Sequence, residues 1–479
     1  MTPTRHTMSV LAQITSWIPD RIIENLARKH RIQTRSFSAT SHVISMVYAH
    51  LAHALSLNDI CDSLSNHAGT LEQLRSCTPP SRNGLSHANK TRNADMAEEL
   101  FWKVYESLSK QYPEFLSSSR NYPGLPHRFR TRTIRAVDST TIQLTAFSMG
   151  RAKHRRQKAA AKMHTALNMR SFLPNFVIVK SAHDSDPKSA WELCADMKTG
   201  EVVVFDKAYV DFKHLKTLAS RGVSWVTRSK ENMLYEVMGQ QATAGEQKSS
   251  AVASAAAEPG GLEEPAGKDV GQQATAGEQK SSAVASAAAE PGGLEKPAGK
   301  DVGQQVSGRR RYVRKKCRIL SDERIRLTGI STREHYPEEL RLVTAEVEIK
   351  GRMVQMTFIT NNLEWSAFTI CQLYQCRWGV EVFFKEIKQT LQLADFLGHD
   401  ENAVRWQIWT ALLTYLLLRF VAWHSKWRHP FSRLFTLVRA VLWNFFLLAS
   451  LIECCDTVRE RRKRAIRGSP ETAYQLTFW

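Results

Sequence analysis

The chain reads as an α/β protein, and three features of the sequence say so. Residues 133–144, 159–169 and 173–181 are rich in β-branched and apolar residues and form a three-strand meander. It is followed by alternating elements: a helix at 188–197, a strand at 201–206, a helix at 211–221 and a strand at 223–228. Within that series Val202 to Phe205 are four consecutive apolar residues closing on Asp206, the pattern of a strand covered on both faces. Further on, Leu373, Val380, Phe384, Ile387 and Leu391 form the apolar stripe of a helix whose neighbouring ridge is charged.

Taken in order, residues 1–125 read as a helical amino-terminal domain. Ser41 to Leu55 and Leu57 to Leu64 supply two helices. Pro79 and Pro80 with Arg82, Asn83 and Gly84 predict a basic loop, and Ser86-His87-Ala88-Asn89 leads to another helix from Asp95 to Leu108, which places His87 in a loop or helix entry. Residues 126–230 hold the meander and the alternating elements. Between its first two strands Arg151, Lys153, His154, Arg155, Arg156 and Lys158 form a cluster that suits a solvated loop and a contact to an anion equally.

Residues 231–360 read as a β-rich insertion: strands at Tyr312–Leu320 and Leu327–Thr332, then Leu342 to Thr360 as a hairpin turning at Lys350-Gly351. Arg309, Arg310, Arg311, Arg314, Lys315 and Lys316 make its first strand basic. Inside it lies a tandem repeat over 239–305. Gly239 to Val270 recurs as Gly271 to Val302, differing only at Glu264 against Lys296, and a third copy begins at Gly303. Rich in Ala, Gly, Ser, Pro and Gln, the repeat cannot bury enough apolar surface to fold, so it is expected to be a disordered surface loop without chemistry. Residues 361–425 carry the charged helix and the one after it, and 426–479 are expected to be carboxyl-terminal helices ending in a basic tail, Arg459 to Arg467. Ile408 to Leu418 is too short for a membrane span, and Leu434 to Leu451 carries Arg439 and Asn444. Both read as buried helices.

The chain has 479 residues and a formal net charge of +20 at pH 7, which favours a polyanionic partner such as nucleic acid over a membrane surface. Cysteines 61, 77, 194, 317, 371, 376, 454 and 455 show no Cys-x2-Cys pair, so zinc is not expected and a reduced cytosol is the default. The first residues lack a secretory apolar core with a cleavage motif, consistent with a cytoplasmic, nucleoid-associated protein.

Chemistry concentrates on the charged ridge. Tyr374, Arg377, Glu381 and Lys388 fall within roughly 60° of one another at about 100° per residue. Ordinary surface pairs of Glu381 with Arg377 or Lys388 remain an alternative. Glu386, about 140° around from Glu381, falls off this ridge. Two upstream acids join the set: Asp138, in the strand Ala-Val-Asp-Ser-Thr, and Asp206, where its strand emerges. Catalytic groups of open α/β sheets lie at such carboxyl ends. Phosphodiester cleavage needs an in-line nucleophile and a stabilised leaving oxygen, which a pair of divalent ions held by carboxylates can supply.

The pattern Tyr-x2-Arg-x3-Glu-x6-Lys, present residue for residue, resembles the signature of the insertion-sequence-four family of DDE transposases. Asp138 in Val-Asp-Ser-Thr is similar to the family's first Asp. Asp206 in Phe-Asp-Lys-Ala-Tyr is similar to its second, more often written Asp-Arg-Gly-Tyr, so Lys207 and Ala208 depart from the pattern while Tyr209 keeps it. Lys162-Met163-His164 and Glu401-Asn402-Ala403-Val404 extend the likeness, which covers about residues 125 to 425. The resemblance implies an RNase H-like catalytic domain with a β-rich insertion, a helical amino-terminal domain that binds the element's terminal repeats, and cut-and-paste movement through a hairpin end. It implies Asp138, Asp206 and Glu381 as catalytic ligands of Mg²⁺, for which Mn²⁺ can stand in. Tyr374, Arg377 and Lys388 would contact double-stranded DNA, with Arg155, Arg156 and Lys162 as further contacts, in a homodimer that pairs two ends. An inactive DNA-binding relic and an RNase H-like nuclease without strand transfer are the alternatives.

Overall fold

The computed structural model describes residues 2–34, 36–117, 129, 131–143, 160–181, 186–240, 317–349, 352–391 and 400–455. Among the described residues eight helices come first: α1 (Val10–Thr15), α2 (Ile22–Lys29), α3 (Ala39–Ala52), α4 (Leu57–Asn66), α5 (Ala68–Gln73), α6 (Arg82–Thr91), α7 (Asp95–Gln111) and α8 (Pro113–Ser117). Local chemistry starts several of them. Ser9, Ser38, Ser56 and Ser81 each accept a backbone N–H at the amino end of α1, α3, α4 and α6, satisfying a donor the helix leaves open.

The described strands form one sheet of nine: β1 (Ile134–Gln143), β2 (Ala160–Asn168), β3 (Leu173–Ser181), β4 (Val202–Phe205), β5 (Ser224–Arg228), β6 (Tyr235–Gln240), β7 (Cys317–Leu327), β8 (Leu340–Ile349) and β9 (Arg352–Thr360), in the order β3-β2-β1-β4-β5-β9-β8-β7-β6. β1, β4 and β5 run parallel, and the remaining pairings are antiparallel. The expected meander and alternating elements are therefore present, with α9 (Asp186–Leu193) before β4 and α10 (Phe212–Ser220) before β5. The β-rich insertion continues the same sheet through β9 on β5.

One face of the sheet packs on α9 and α10 through Val137, Val203, Phe205 and Trp225. The other face, through Ile134, Ala136, Val202 and Val204, shares a core with the amino-terminal helices and with α12 (Ala367–Cys376), α13 (Trp378–Lys385) and α14 (Glu401–His424). α14 is buried along nearly its whole length, as expected for Ile408 to Leu418. No helix among the described residues is long and apolar enough to cross a membrane.

Several elements differ from the sequence expectation. Arg82, Asn83 and Gly84 open α6 instead of forming a loop, and His87 sits within that helix. Ser81 Oγ accepts from Gly84 N at 3.0 Å, and a Cβ on Gly84 would lie 2.9 Å from that oxygen, so the cap uses the bare glycine. The two strands expected at Tyr312–Leu320 and Leu327–Thr332 are one strand, β7, followed by the short helix α11 (Ile330–His335); residues 312–316 lie outside the described set. Midway along β7, Asp322 takes a two-pronged ion pair from Arg341 of β8, at 2.7 and 2.6 Å, and stays inside the sheet. The stretch Leu434 to Leu451 is not one helix. α15 (Phe431–Ala440) ends before Asn444, and helix resumes only at 448–455. Of the tandem repeat, Gly239 and Gln240 close β6, and the rest lies outside the described residues, as do 309–316 and the basic tail.

Candidate active site

The parallel pairing of β1 with β4 builds the floor of the site. Val137 lies opposite Phe205, so the next residues, Asp138 and Asp206, stand side by side where β4 ends. Alternation along both strands turns these two carboxylates to the face covered by α12 and α13, because Ala136 and Val204, two residues earlier, belong to that core. The β4–β5 pairing, Val204 opposite Val226, extends the row to Arg228 at the end of β5.

The helix ridge closes over this row. Arg377 sits between α12 and α13 in helical conformation, and its fork reaches both ways. Nη1 donates to Asp138 Oδ2 at 2.7 Å and Nη2 to Glu381 Oε1 at 2.5 Å. Tyr374 Oη donates to Asp206 Oδ1 at 3.4 Å, and the Arg377 guanidinium lies 5.7 Å from the Tyr374 ring centre. Ser139 N–H donates to the other Asp138 oxygen at 2.8 Å. Side-chain exposure grades across the site: Arg377 10%, Asp138 16%, Glu381 51%. The floor is partly buried and Glu381 faces solvent.

Electrostatics follow from that gradient. Burial pushes the Asp138 carboxyl up to about 6, opposed by Arg377 and the Ser139 N–H and assisted by the charges of Asp206 and Glu381. Burial alone would lower the Arg377 guanidinium, but Tyr374, Asp138, Asp206 and Glu381 together hold it above its ordinary value. Burial likewise pushes the Tyr374 phenol up to about 12, so it stays a donor to Asp206.

Of the other expected site residues, Lys388 is close and Lys162 is not on this face. Lys388 lies in a π-helical turn, Glu386–Thr390, that follows α13, and its Nζ donates to Thr141 O of β1 at 2.6 Å. Partial burial lowers its pKa. Lys162 pairs with Thr141 in the β1–β2 register, and its parity matches His164 and Ala166, on the face opposite the acids. Arg155 and Arg156 lie outside the described residues. Glu386 turns away into an ion pair with Arg419 of α14. Arg228, whose charge is felt at the Tyr374 phenol, carries no signature in the sequence, being a lone Arg at a strand end.

The donor set suits a hard divalent cation: three carboxylates, one of them largely buried with its pKa raised, two bonded to Arg377 and the third to Tyr374. Among the described residues no three His, Cys, Asp or Glu side chains stand close enough to hold a metal as placed. Arg377 holds Asp138 and Glu381 on its two sides instead.

A family model described as Transposase DDE domain matches residues 129–417. The chain belongs to the transposase DDE-domain family. The match takes in both β1 with Asp138 and the whole Tyr-Arg-Glu-Lys ridge. Residues 6–74 match a domain of unknown function, DUF4372. A protein of Sinorhizobium fredii named as transposase y4zB is 24% identical over 79% of this chain and 82% of its own length. One of Geobacillus stearothermophilus, named as a transposase for insertion sequence element IS5377, is 40% identical over 16% of this chain and 20% of its own. A solved piggyBac transposase synaptic complex with hairpin DNA is similar with TM-score 0.39 and 8% identity, over 99% of this chain and 90% of that one, a likeness too loose to argue from. The protein is thus an insertion-sequence transposase, an enzyme of the DDE class acting on DNA, and membership of that class brings dependence on a divalent metal ion.

Proposed function

We propose that Asp138, Asp206 and Glu381 are the catalytic acids of this DDE transposase and that they hold Mg²⁺, with Mn²⁺ as a substitute. The observation that carries this reading is the meeting of three acids: Asp138 and Glu381 on the two arms of Arg377, and Asp206 beside Asp138 on the adjacent parallel strand, held by Tyr374. Like charges gathered in a half-dry cleft are unfavourable on their own, so a protein keeps them where a cation belongs. Bound there, the metal would supply charge stabilisation to the attacking and leaving oxygens of phosphodiester cleavage.

The chain's own residues do the positioning. Arg377 partners Asp138 and Glu381, and its planar fork would suit a DNA phosphate were those carboxylates to hold a divalent cation. Tyr374 orients the Asp206 carboxylate through its hydroxyl. Lys388, tethered to β1 at Thr141, contributes a point charge for the strand near the cleaved end. Arg155, Arg156 and Lys162 are the proposed outer DNA contacts. Of these, Lys162 would touch a part of the duplex reached from the opposite sheet face.

An RNase H-like assignment is supported by the β3-β2-β1 antiparallel meander followed by parallel β4 and β5, with acids at the strand ends. On this reading residues 1–125 bind the element's terminal repeats, 126–230 and 361–425 form the catalytic domain, 231–360 its insertion and 426–479 a carboxyl-terminal extension. A nucleoid-associated homodimer pairs two ends for cut-and-paste movement through a hairpin. The test is nicking of duplexes carrying the DNA that flanks the coding region, followed by joining to a second duplex. Asp138→Asn, Asp206→Asn and Glu381→Gln should each lose Mg²⁺-dependent nicking by more than about 100-fold, beyond the usual cost of losing an outer partner, while retaining a gel shift. Near-normal nicking by Asp206→Asn would sink the assignment, and nicking without joining would reduce the enzyme to a nuclease.

A further inference from the structure

α6 has ten residues and so runs about 15 Å. Its inward side, Leu85, Ala88 and Asn89, is buried. Its outward side presents Arg82, Asn83, Ser86, His87, Lys90 and Thr91, all exposed and none acidic. At about 100° per residue these six span half the helix circumference, with Asn83 and Lys90 at its centre, Arg82 on one flank and His87 and Thr91 toward the other. Beyond that second flank a cleft of about 570 Å³ opens, lined by His87, Thr91, Arg31, Gln33 and Ser36 among others. The polar ridge is therefore bracketed by cations, Arg82 on one side and Arg31 across the cleft on the other.

The acids of α7 do not cancel this charge, and Asp62 of α4, near Arg82, makes no ion pair with it among the described residues. Glu99 is taken by Lys29 and His30, and Asp95 and Glu98 by Arg405. Arg31, Arg82 and Lys90 form no ion pair among the described residues.

The helix is also fixed rigidly at the end where its carbonyls would otherwise lack partners. Asn402, at the start of α14, donates through Nδ2 to Asn89 O at 2.9 Å and Arg92 O at 2.7 Å, and its Oδ1 accepts from Ala94 N at 3.1 Å. Trp406 Nε1 donates to Arg92 O at 2.7 Å, and the His42 ring meets Asn89 Oδ1 at 2.8 Å. Groups that must meet base edges need such fixing, since a small displacement loses the hydrogen bond.

We propose that α6 enters the major groove of duplex DNA and reads the transposon end, with Asn83 and His87 at base edges and Arg31 and Arg82 on the phosphates of the two groove walls. The groove admits a helix of this width, an amide can bond an adenine edge on two sides, and cations bracketing a polar ridge match the backbones on either side. The proposal rests on the transposase reading only in taking the DNA to be the element's own end.

The experiment is selection of bound duplexes from a random-sequence pool by the full-length protein, with salt-dependent affinity measured on the winning sequence. Wild type should enrich one motif. Asn83→Ala and His87→Ala should relax it at particular positions and weaken the selected duplex roughly 5- to 150-fold, with little change on unselected DNA. Arg31→Ala and Arg82→Ala should instead weaken all duplexes and lower the log–log salt slope by about one each. All four side chains are exposed, so unchanged thermal unfolding certifies the variants. A wild type that enriches no motif, or Asn83→Ala and His87→Ala proteins that enrich the wild-type motif at wild-type affinity, would overturn the proposal. Loss of nicking by the wild type with the α6-dependent motif intact would instead sink the catalytic assignment and leave this one standing.

Discussion

Arg377 is the residue on which the site turns. Its two terminal nitrogens serve acids from different elements, Asp138 being 239 positions away and Glu381 one helical turn on. Only a planar fork does this, so Lys at 377 restores the charge and not the bridge. A guanidinium 2.7 Å from Asp138 also competes with any other cation for that carboxylate. Arg377→Ala is therefore expected to bind Mn²⁺ about tenfold more tightly, roughly 1.4 kcal/mol, while nicking falls and spreads over several phosphates. Arg377→Lys should keep weak nicking of the same scattered kind. Paramagnetic titration of Mn²⁺ and mapping of nick positions read the two effects separately, and unchanged Mn²⁺ affinity with sharp nicking would refute them. The sequence made the residue types and helical spacing of this site legible. It could not disclose that Arg377 serves the acids in the resting protein, because that pairing is set by a helix crossing a strand from a distant part of the chain.

At the scale of elements, the helix that carries the signature is not regular. After α13 it widens into the π turn Glu386–Thr390, a feature often found at functional sites. The turn sends Lys388 to Thr141 of β1 and Glu386 to Arg419 and Tyr415 of α14. Glu386 is thus structural: burial raises its carboxyl pKa and Arg419 opposes the rise. Glu386→Ala leaves Arg419 buried and unpaired and should cost about 3–5 kcal/mol. Glu381→Ala removes a half-exposed carboxylate and should change stability by at most about 1 kcal/mol. Urea unfolding of the two variants checks this, and equal losses would erase the distinction between support and catalysis. Elements with strong periodicity, such as β1, β4, α7 and α14, were legible in the sequence. α6 was not, because Asn83 and Gly84 are poor helix formers and its stability comes from the Ser81 cap and from Asn402. The continuity of β7 was hidden for a related reason, since only the fold brings Arg341 to Asp322.

Across the whole molecule, the amino-terminal helices and the acid-bearing face of the sheet share one core, with α14 running through it, so the end recognition proposed for the one and the catalysis proposed for the other would be mechanically joined. Two histidines of α3 sit in that joint without charge. His42 is fully buried against Asn89 of α6 and the Trp406 ring. His50 is held by Leu391 O at 2.9 Å and Thr410 Oγ1 at 3.1 Å. Burial pushes His42 down to about 3 and His50 down to about 4. Because both folded values lie below the unfolded one, the unfolded chain takes up the protons first. Their contribution is whole above the unfolded value of about 6.5 and shrinks as pH falls, by up to about 1.4 kcal/mol per pH unit for each ring, until the folded value is reached. The raised carboxyl of Asp138 acts in the opposite sense, gaining stability as pH falls through about 6, so the wild-type curve alone does not isolate the histidines. A His42→Gln protein does, since glutamine keeps a polar group for Asn89 and cannot titrate there. Urea unfolding of both proteins between pH 7.5 and pH 5 should show the wild type losing stability faster than His42→Gln by about 1.4 kcal/mol per unit below pH 6.5. Parallel curves would mean that His42 is already protonated or already exposed in the native protein, and that the α3–α6–α14 joint is not the dry junction described above.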